Sequence, residues 1–151
     1  MCAILDADAV SAVFTEDPAP GAREFRRWIE SGRGRLAIGG RLRKELAVNT
    51  AFKKWLREAQ LRGSVRNTPD CRVNDEARAL ASRENLRSND QHVLALARLS
   101  GARLLYSRDK ALREDFRNEK VLGDPRGKLY PEGKGAECRR WLLRQQRLCA
   151  N

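Results

Sequence analysis

The sequence holds a single histidine, His92, in 151 residues. Its four cysteines, Cys2, Cys71, Cys138 and Cys149, are widely spaced and form no Cys-x-x-Cys pair. A structural zinc site lacks its ligands in such a chain. A cysteine nucleophile is equally unsupported, since no cysteine has a histidine near it in sequence. There is no basic-then-apolar leader, because Met1-Cys2-Ala3-Ile4-Leu5-Asp6 turns acidic at once. No apolar run approaches the ~18 residues that cross a bilayer. These absences give the expectation of a cytoplasmic protein with reduced thiols and no membrane association. The glycine-rich signatures of nucleotide binding, Gly-x-x-x-x-Gly-Lys and Gly-x-Gly-x-x-Gly, are missing too. No internal repeat and no linker divides the chain.

What the chain has is positive charge. Lys and Arg outnumber Asp and Glu by 31 to 20, a net charge of +11. That excess on a small domain favours a polyanionic partner, most simply nucleic acid; a merely soluble basic surface is the plainer alternative. Arginine predominates, which suits bidentate contacts to phosphate. The 41% hydrophobic content is enough to fill one core.

The apolar pattern alternates short strands with helices. Cys2 to Leu5 is a continuous apolar run, as in a fully buried strand, and stops at Asp6-Ala7-Asp8. Helical patterns follow over Ala9–Phe14 and Gly21–Ser31. Leu36 to Ile38 forms a second strand, closed by Gly39-Gly40, and opens a helix holding Glu45. Phe52, Trp55, Leu56 and Leu61 continue a helical pattern, and Val65 to Asp70 is weakly extended. Val73, Ala77, Leu80 and Ala81 mark another amphipathic helix. Ser88, Asn89 or Asp90 can cap the next one, whose Val93–Leu99 stretch is apolar almost all round and therefore central. Gly101 suits its C-terminal turn. Ala102 to Tyr106 is a third strand ending in Ser107-Arg108-Asp109, with a short helix after it. Val121-Leu122 reads as a final edge strand, residues 123–127 and 131–135 as turns, and Cys138 to Leu148 as a basic terminal helix. Strands separated by helices throughout predict an α/β fold with a central, mostly parallel sheet.

Asp6 and Asp109 each follow an apolar strand, so a parallel sheet puts both on the rim where open α/β sheets bind ligands. Asp90 starts the central helix and Glu45 lies early in its own. Four acids from distant parts of the sequence thus have a route to one cleft. Their mutual repulsion would be relieved by a hard divalent cation. Such an ion can activate water and stabilise a leaving oxygen, which phosphodiester hydrolysis requires. Each acid also has a plain structural reading. Asp6 or Asp8 can cap the first helix, Asp90 and Asp109 the helices they precede, and Glu45 can pair with a neighbouring arginine. His92, two residues after Asp90, points away from it on a helix and reads as an ordinary histidine. A phosphoacceptor receiver domain fits poorly, since Leu36–Ile38 ends in glycines where its acceptor Asp belongs.

The segment Asn89-Asp90-Gln91-His92-Val93-Leu94-Ala95-Leu96-Ala97, followed by Gly101-Ala102-Arg103-Leu104-Leu105-Tyr106-Ser107-Arg108-Asp109, resembles the PIN domain, the fold of VapC-type toxin ribonucleases and their relatives. Ile4-Leu5-Asp6 and the Glu45 of Arg43-Lys44-Glu45-Leu46 fit the same pattern. The resemblance covers residues 2 to 122. It implies a three-layer α/β/α nuclease domain over 1–122, with 123–151 as a basic extension packed on it. It further implies a divalent-metal-dependent endoribonuclease cutting single-stranded RNA, with Asp6, Glu45, Asp90 and Asp109 as a catalytic, metal-binding quartet for Mg²⁺ or Mn²⁺. Ser107 matches a small hydroxyl position beside the last acid. Implied partners are RNA, an antitoxin protein and a second copy in a homodimer. A non-catalytic nucleic-acid-binding domain is the alternative. Three departures stand out. Asp6-Ala7-Asp8 replaces the usual Asp-Thr-Asn or Asp-Thr-Ser, Ala111 occupies the place of a further acid, with Asp115 the next acid along, and the tail is long.

Overall fold

The computed structural model describes residues 1–83 and 85–145. Five strands form one sheet, every neighbouring pair parallel, in the order β3-β2-β1-β4-β5. These are β1 (Cys2–Leu5), β2 (Arg35–Ile38), β3 (Val65–Asn67), β4 (Leu104–Tyr106) and β5 (Lys128–Leu129). The two central strands, β1 and β4, are wholly buried, which is why their sequences are continuous apolar runs without alternation. β1 and β4 are in register over Ala3–Leu104, Ile4–Leu105 and Leu5–Tyr106.

The order matters for function. From β1 the chain builds outward to β2 and β3, then returns to lay β4 and β5 on the other side of β1. The direction of winding reverses between β1 and β4. Ligands of open α/β sheets bind outside the carboxyl ends of the strands at that reversal.

Helices cover both faces, giving three layers. On one face lies α6 (Gln91–Ser100), with α5 (Asp70–Ala81) against it. Residues His92 to Ala97 of α6 are all buried, as its all-round apolar pattern requires. Gly101 ends α6 at φ 74°, the left-handed conformation that glycine adopts without a Cβ penalty. On the other face, α2 (Pro20–Glu30) packs beside α9 (Gly135–Leu143). Phe25 of α2 meets Tyr106 edge-on at 5.1 Å and lies 5.1 Å from Tyr130. The Tyr130 hydroxyl donates to the Gly21 carbonyl. Arg139 of α9 holds Glu24 of α2 through two hydrogen bonds. The remaining helices are α1 (Val10–Val13), α3 (Gly40–Leu46), α4 (Thr50–Leu61), α7 (Lys110–Arg117) and α8 (Glu119–Leu122).

Several expectations need correction. Val121-Leu122 are not a strand: Asn118 accepts from the Lys120 amide and starts the single-turn helix α8. Two adjacent apolar residues carry no periodicity by which strand and helix differ. The outer strand is β5, two residues long, between the two stretches expected to be turns. Leu61, counted with the apolar pattern of α4, stands exposed. Cys2 is disulfide-bonded, against the expectation of reduced thiols throughout, whereas Cys71 and Cys138 are free. The terminal helix begins at Gly135 and is described to Leu143; Arg147, Leu148 and Cys149 lie outside the described residues. No helix among the described residues is long and apolar enough to cross a membrane.

One buried cation ties the ends of two helices together. Arg103 is buried, with its guanidinium donating to the carbonyls of Ala97, Ala102, Leu122 and Pro125. It gathers carbonyls at the C-terminal ends of α6 and α8, the Ala97 carbonyl accepting from the Gly101 amide as well. Arg103→Leu removes four charge-assisted hydrogen bonds from this buried junction and is expected to lower unfolding stability by at least about 2 kcal/mol, measured by urea titration.

Candidate active site

Two strand ends meet first. The Asp6 amide donates to the Tyr106 carbonyl at 2.9 Å, one rung beyond the last β1–β4 pair. This rung sets the Asp6 side chain beside Ser107. The Ser107 hydroxyl donates to Asp6 Oδ2 at 2.8 Å and accepts from the Asp109 amide at 3.1 Å. Asp6 Oδ1 accepts from the Ala7 amide. One hydroxyl therefore fixes the acid after β1 against the acid after β4.

Asp8 joins the same group. It accepts from the Arg108 amide, at 3.1 and 3.3 Å to its two oxygens, and both oxygens lie 3.5 Å from Ser107 Oγ. Neither Asp6 nor Asp8 caps the first helix, contrary to expectation: Ala9 is its N-cap and no side chain bonds there. Asp8 reaches across to the β4–α7 loop instead.

The other acids arrive on helices. Asp90 occupies the N-cap position of α6, yet its side chain makes no capping hydrogen bond. Its carboxylate is left for the cleft. Asp109 does cap its helix, Oδ1 accepting from the Leu112 amide at 3.0 Å. Glu45 on α3 is held from two sides: Oε1 accepts from Arg41 at 2.9 Å and Oε2 lies 3.2 Å from His92 Nε2. His92 is thus not an ordinary histidine pointing nowhere. It is buried and faces Glu45 from another helix, a contact that spacing along α6 alone cannot reveal.

Electrostatics shows that these groups share one space. The pKa of Asp6 is raised to about 7, chiefly by burial, with the carboxylates of Asp8 and Asp90 adding to the rise and the Ser107 and Ala7 hydrogen bonds opposing it. Asp90 is raised as well, first by burial and then by Asp109 and Glu45, against the lowering effect of His92. Asp90 therefore feels Glu45, Asp109 and Asp6 together. In a chain with eleven surplus positive charges, Asp6, Asp8, Asp90 and Asp109 make no ion pair among the described residues.

Asp115 holds this arrangement from behind. It is 2% exposed and accepts from the amides of Arg87 and Ser88 and from the Ser88 hydroxyl. The turn that launches α6, and with it Asp90, is anchored on α7. The sequence alone assigns Asp115 no role, because its partners are nearly thirty residues away. Asp8 sits in the turn that follows β1, closed by the Ala9 amide donating to the Asp6 carbonyl, which brings it back beside Asp6.

The raised pKa of Asp6 makes metal-free stability depend on pH. Its folded value, about 7, lies above the ordinary 3.8, so the protonated form is the one that folding favours. That contribution is complete at low pH and disappears as pH rises through about 7. Asp6→Asn removes the buried charge and is expected to be more stable than the parent at alkaline pH in EDTA, by about 1 kcal/mol or more, with the gap closing in mild acid. Thermal unfolding across pH measures it.

A family model for the PIN domain matches residues 3–115. The match begins in β1 and ends at Asp115, and it takes in Asp6, Asp8, Glu45, Asp90 and Asp109 together with Ser107 and His92. No curated protein and no solved structure matches the chain. A PIN domain is a nuclease-type fold, commonly metal-dependent, and this chain belongs to the PIN domain family.

Proposed function

We propose that the protein is a divalent-metal-dependent endoribonuclease acting on single-stranded RNA. One observation carries the reading: carboxylates crowd the winding reversal of the sheet and raise one another's proton affinity, with His92 opposing the rise at Asp90, and among the described residues Asp6, Asp8, Asp90 and Asp109 make no ion pair. The donor set is all carboxylate oxygen apart from His92, which is turned to Glu45. That chemistry suits Mg²⁺ or Mn²⁺ and not zinc or copper. Among the described residues no three such side chains stand as a ready metal-binding group. Mg²⁺ does not need one, since it typically takes one or two carboxylates and keeps several waters.

In this reading Asp6, Glu45, Asp90 and Asp109 would hold the ion. The ion, when bound, supplies charge stabilisation for phosphodiester hydrolysis. The chain's own part is positional. Ser107 keeps Asp6 and the Asp109 backbone at a fixed separation. Arg41 and His92 hold Glu45 at the rim. Asp90, uncapped, is free to orient water. A role as the toxin of a toxin–antitoxin pair, restrained by a small antitoxin entering the cleft, belongs to the same proposal, as do a homodimer and a cytoplasmic location. So does the division into a nuclease unit, 1–122, and a basic extension, 123–151.

The lack of a ready three-ligand group favours one alternative, a nucleic-acid-binding PIN domain without catalysis. Two measurements decide. Asp90→Asn and Asp109→Asn are each expected to cut Mn²⁺-dependent RNA cleavage by more than about 100-fold, beyond the range for partners of metal ligands. Circular dichroism should stay unchanged, since Asn caps α7 as well as Asp. Titration calorimetry should show Mn²⁺ binding to the parent and its loss in Asp90→Asn. A parent that binds no Mn²⁺ and cuts no RNA supports the alternative.

A further inference from the structure

The acidic rim cannot by itself hold a polyanion, so phosphate must be attracted beside it. α7 leads there. It starts at Asp109, and Arg113 and Arg117 follow at four-residue intervals, so they climb one side of the helix from the acidic rim. At 1.5 Å per residue, Arg117 stands roughly 12 Å along the axis from Asp109.

Both arginines line a cavity of about 510 Å³ together with Arg126, Lys128 of β5 and Trp141 of α9. None of these four cations makes an ion pair among the described residues. Arg126 donates to the Arg117 carbonyl, and Lys128 to Gln145, so both are placed without being neutralised. Trp141 is partly exposed there and meets Tyr130 edge-on at 6.1 Å, leaving ring surface toward the cavity. Trp28 and Trp55, by contrast, are buried. The cavity is tied back to the rim through Pro131, which lines it, and the adjacent Glu132, which pairs with Arg108. Arg117 and Arg126 also line a second basic cavity with Arg87 and Lys120. Cations along a groove with an aromatic face among them are the features that hold single-stranded nucleic acid irrespective of sequence.

We propose that the groove between α7, β5 and α9 is a binding track for single-stranded RNA, in which Arg113, Arg117, Arg126 and Lys128 contact phosphates and a base stacks on Trp141, feeding the strand to the acidic rim. This rests on the nuclease reading for its direction, but binding can be measured apart from cutting. The long C-terminal extension thereby acquires a purpose, since it supplies Arg126, Lys128 and Trp141, three of the five residues of the track.

The test uses the full chain carrying Asp90→Asn, in EDTA, with a short oligouridylate as probe. RNA should quench tryptophan fluorescence, and Trp141→Phe should abolish the quench. Arg117→Gln with Lys128→Gln should weaken binding about tenfold or more. The slope of log affinity against log salt should fall by about 1.4, since each lost contact to a single strand accounts for about 0.7. Undiminished affinity in the double variant, or a quench that persists in Trp141→Phe, overturns the track. So does binding of polyglutamate in place of RNA, which would assign the groove to an acidic protein. If the double variant binds normally and the parent still cuts RNA with Mn²⁺, the track fails and the nuclease stands. If the double variant loses RNA while the parent never cuts, the nuclease fails and the track stands.

Discussion

The parallel pairing of β1 with β4 ends in the hydrogen bond from the Asp6 amide to the Tyr106 carbonyl, and the acidic rim is built on that last rung. Both strands are wholly buried, so their registration is set by packing on two faces and has little freedom to slip. A one-residue shift would break the bond from the Asp6 amide to the Tyr106 carbonyl and carry the Asp6 carboxylate away from Ser107. With the register held, the Ser107 hydroxyl can bridge the Asp6 carboxylate and the Asp109 amide. The start of α6 then brings Asp90, and the last turn of α3 brings Glu45, to the same edge.

Placing acids there costs free energy, which is why their proton affinities rise. Burial is the first cause for both Asp6 and Asp90, and like charge is the second kind of pressure. The chain has ample arginine with which to neutralise them, yet among the described residues only Glu45 of the rim is paired, with Arg41 and His92, and the other ion pairs form elsewhere, as at Arg23–Asp17, Arg87–Glu114 and Arg139–Glu24. Sites that retain such conflict are where function is found more often than elsewhere. The basic surface lies around the rim and not in it, which suits a polyanion held at its flanks.

Local pattern carried the fold a long way. Four apolar residues ending at Asp6, and three ending at Ser107, announced buried strands because central parallel strands need no alternation. The apolar run of α6 and the glycine after it gave both that helix and its end. β5 was illegible, since two residues have no period. At the site, Asp6, Asp90 and Asp109 could be named because each follows or starts an element, whereas Glu45, expected early in its helix, stands in the last turn of α3. Their plain readings were partly right as well: Asp109 caps α7, and Glu45 pairs with Arg41. The contributions of His92 and Asp115 could not be read, because each is defined by a partner on another helix or a distant turn. Asp8 was visible, but its reach to the Arg108 amide depends on the β4–α7 loop.

Asp115 has a mechanical consequence. α7 carries Asp109 at its first turn and Asp115 near its last, and Asp115 grips the turn from which Asp90 emerges. Two acids from different elements are thus referenced to one short rigid body. The helix works as a jig: its length, and not the sheet, gauges the spacing between them. Any force that tilts α7 displaces Asp109 directly and drags Asp90 by way of the Ser88 turn. The mouth of the cleft can therefore be widened or narrowed from the outer surface of α7, with no contact to a carboxylate.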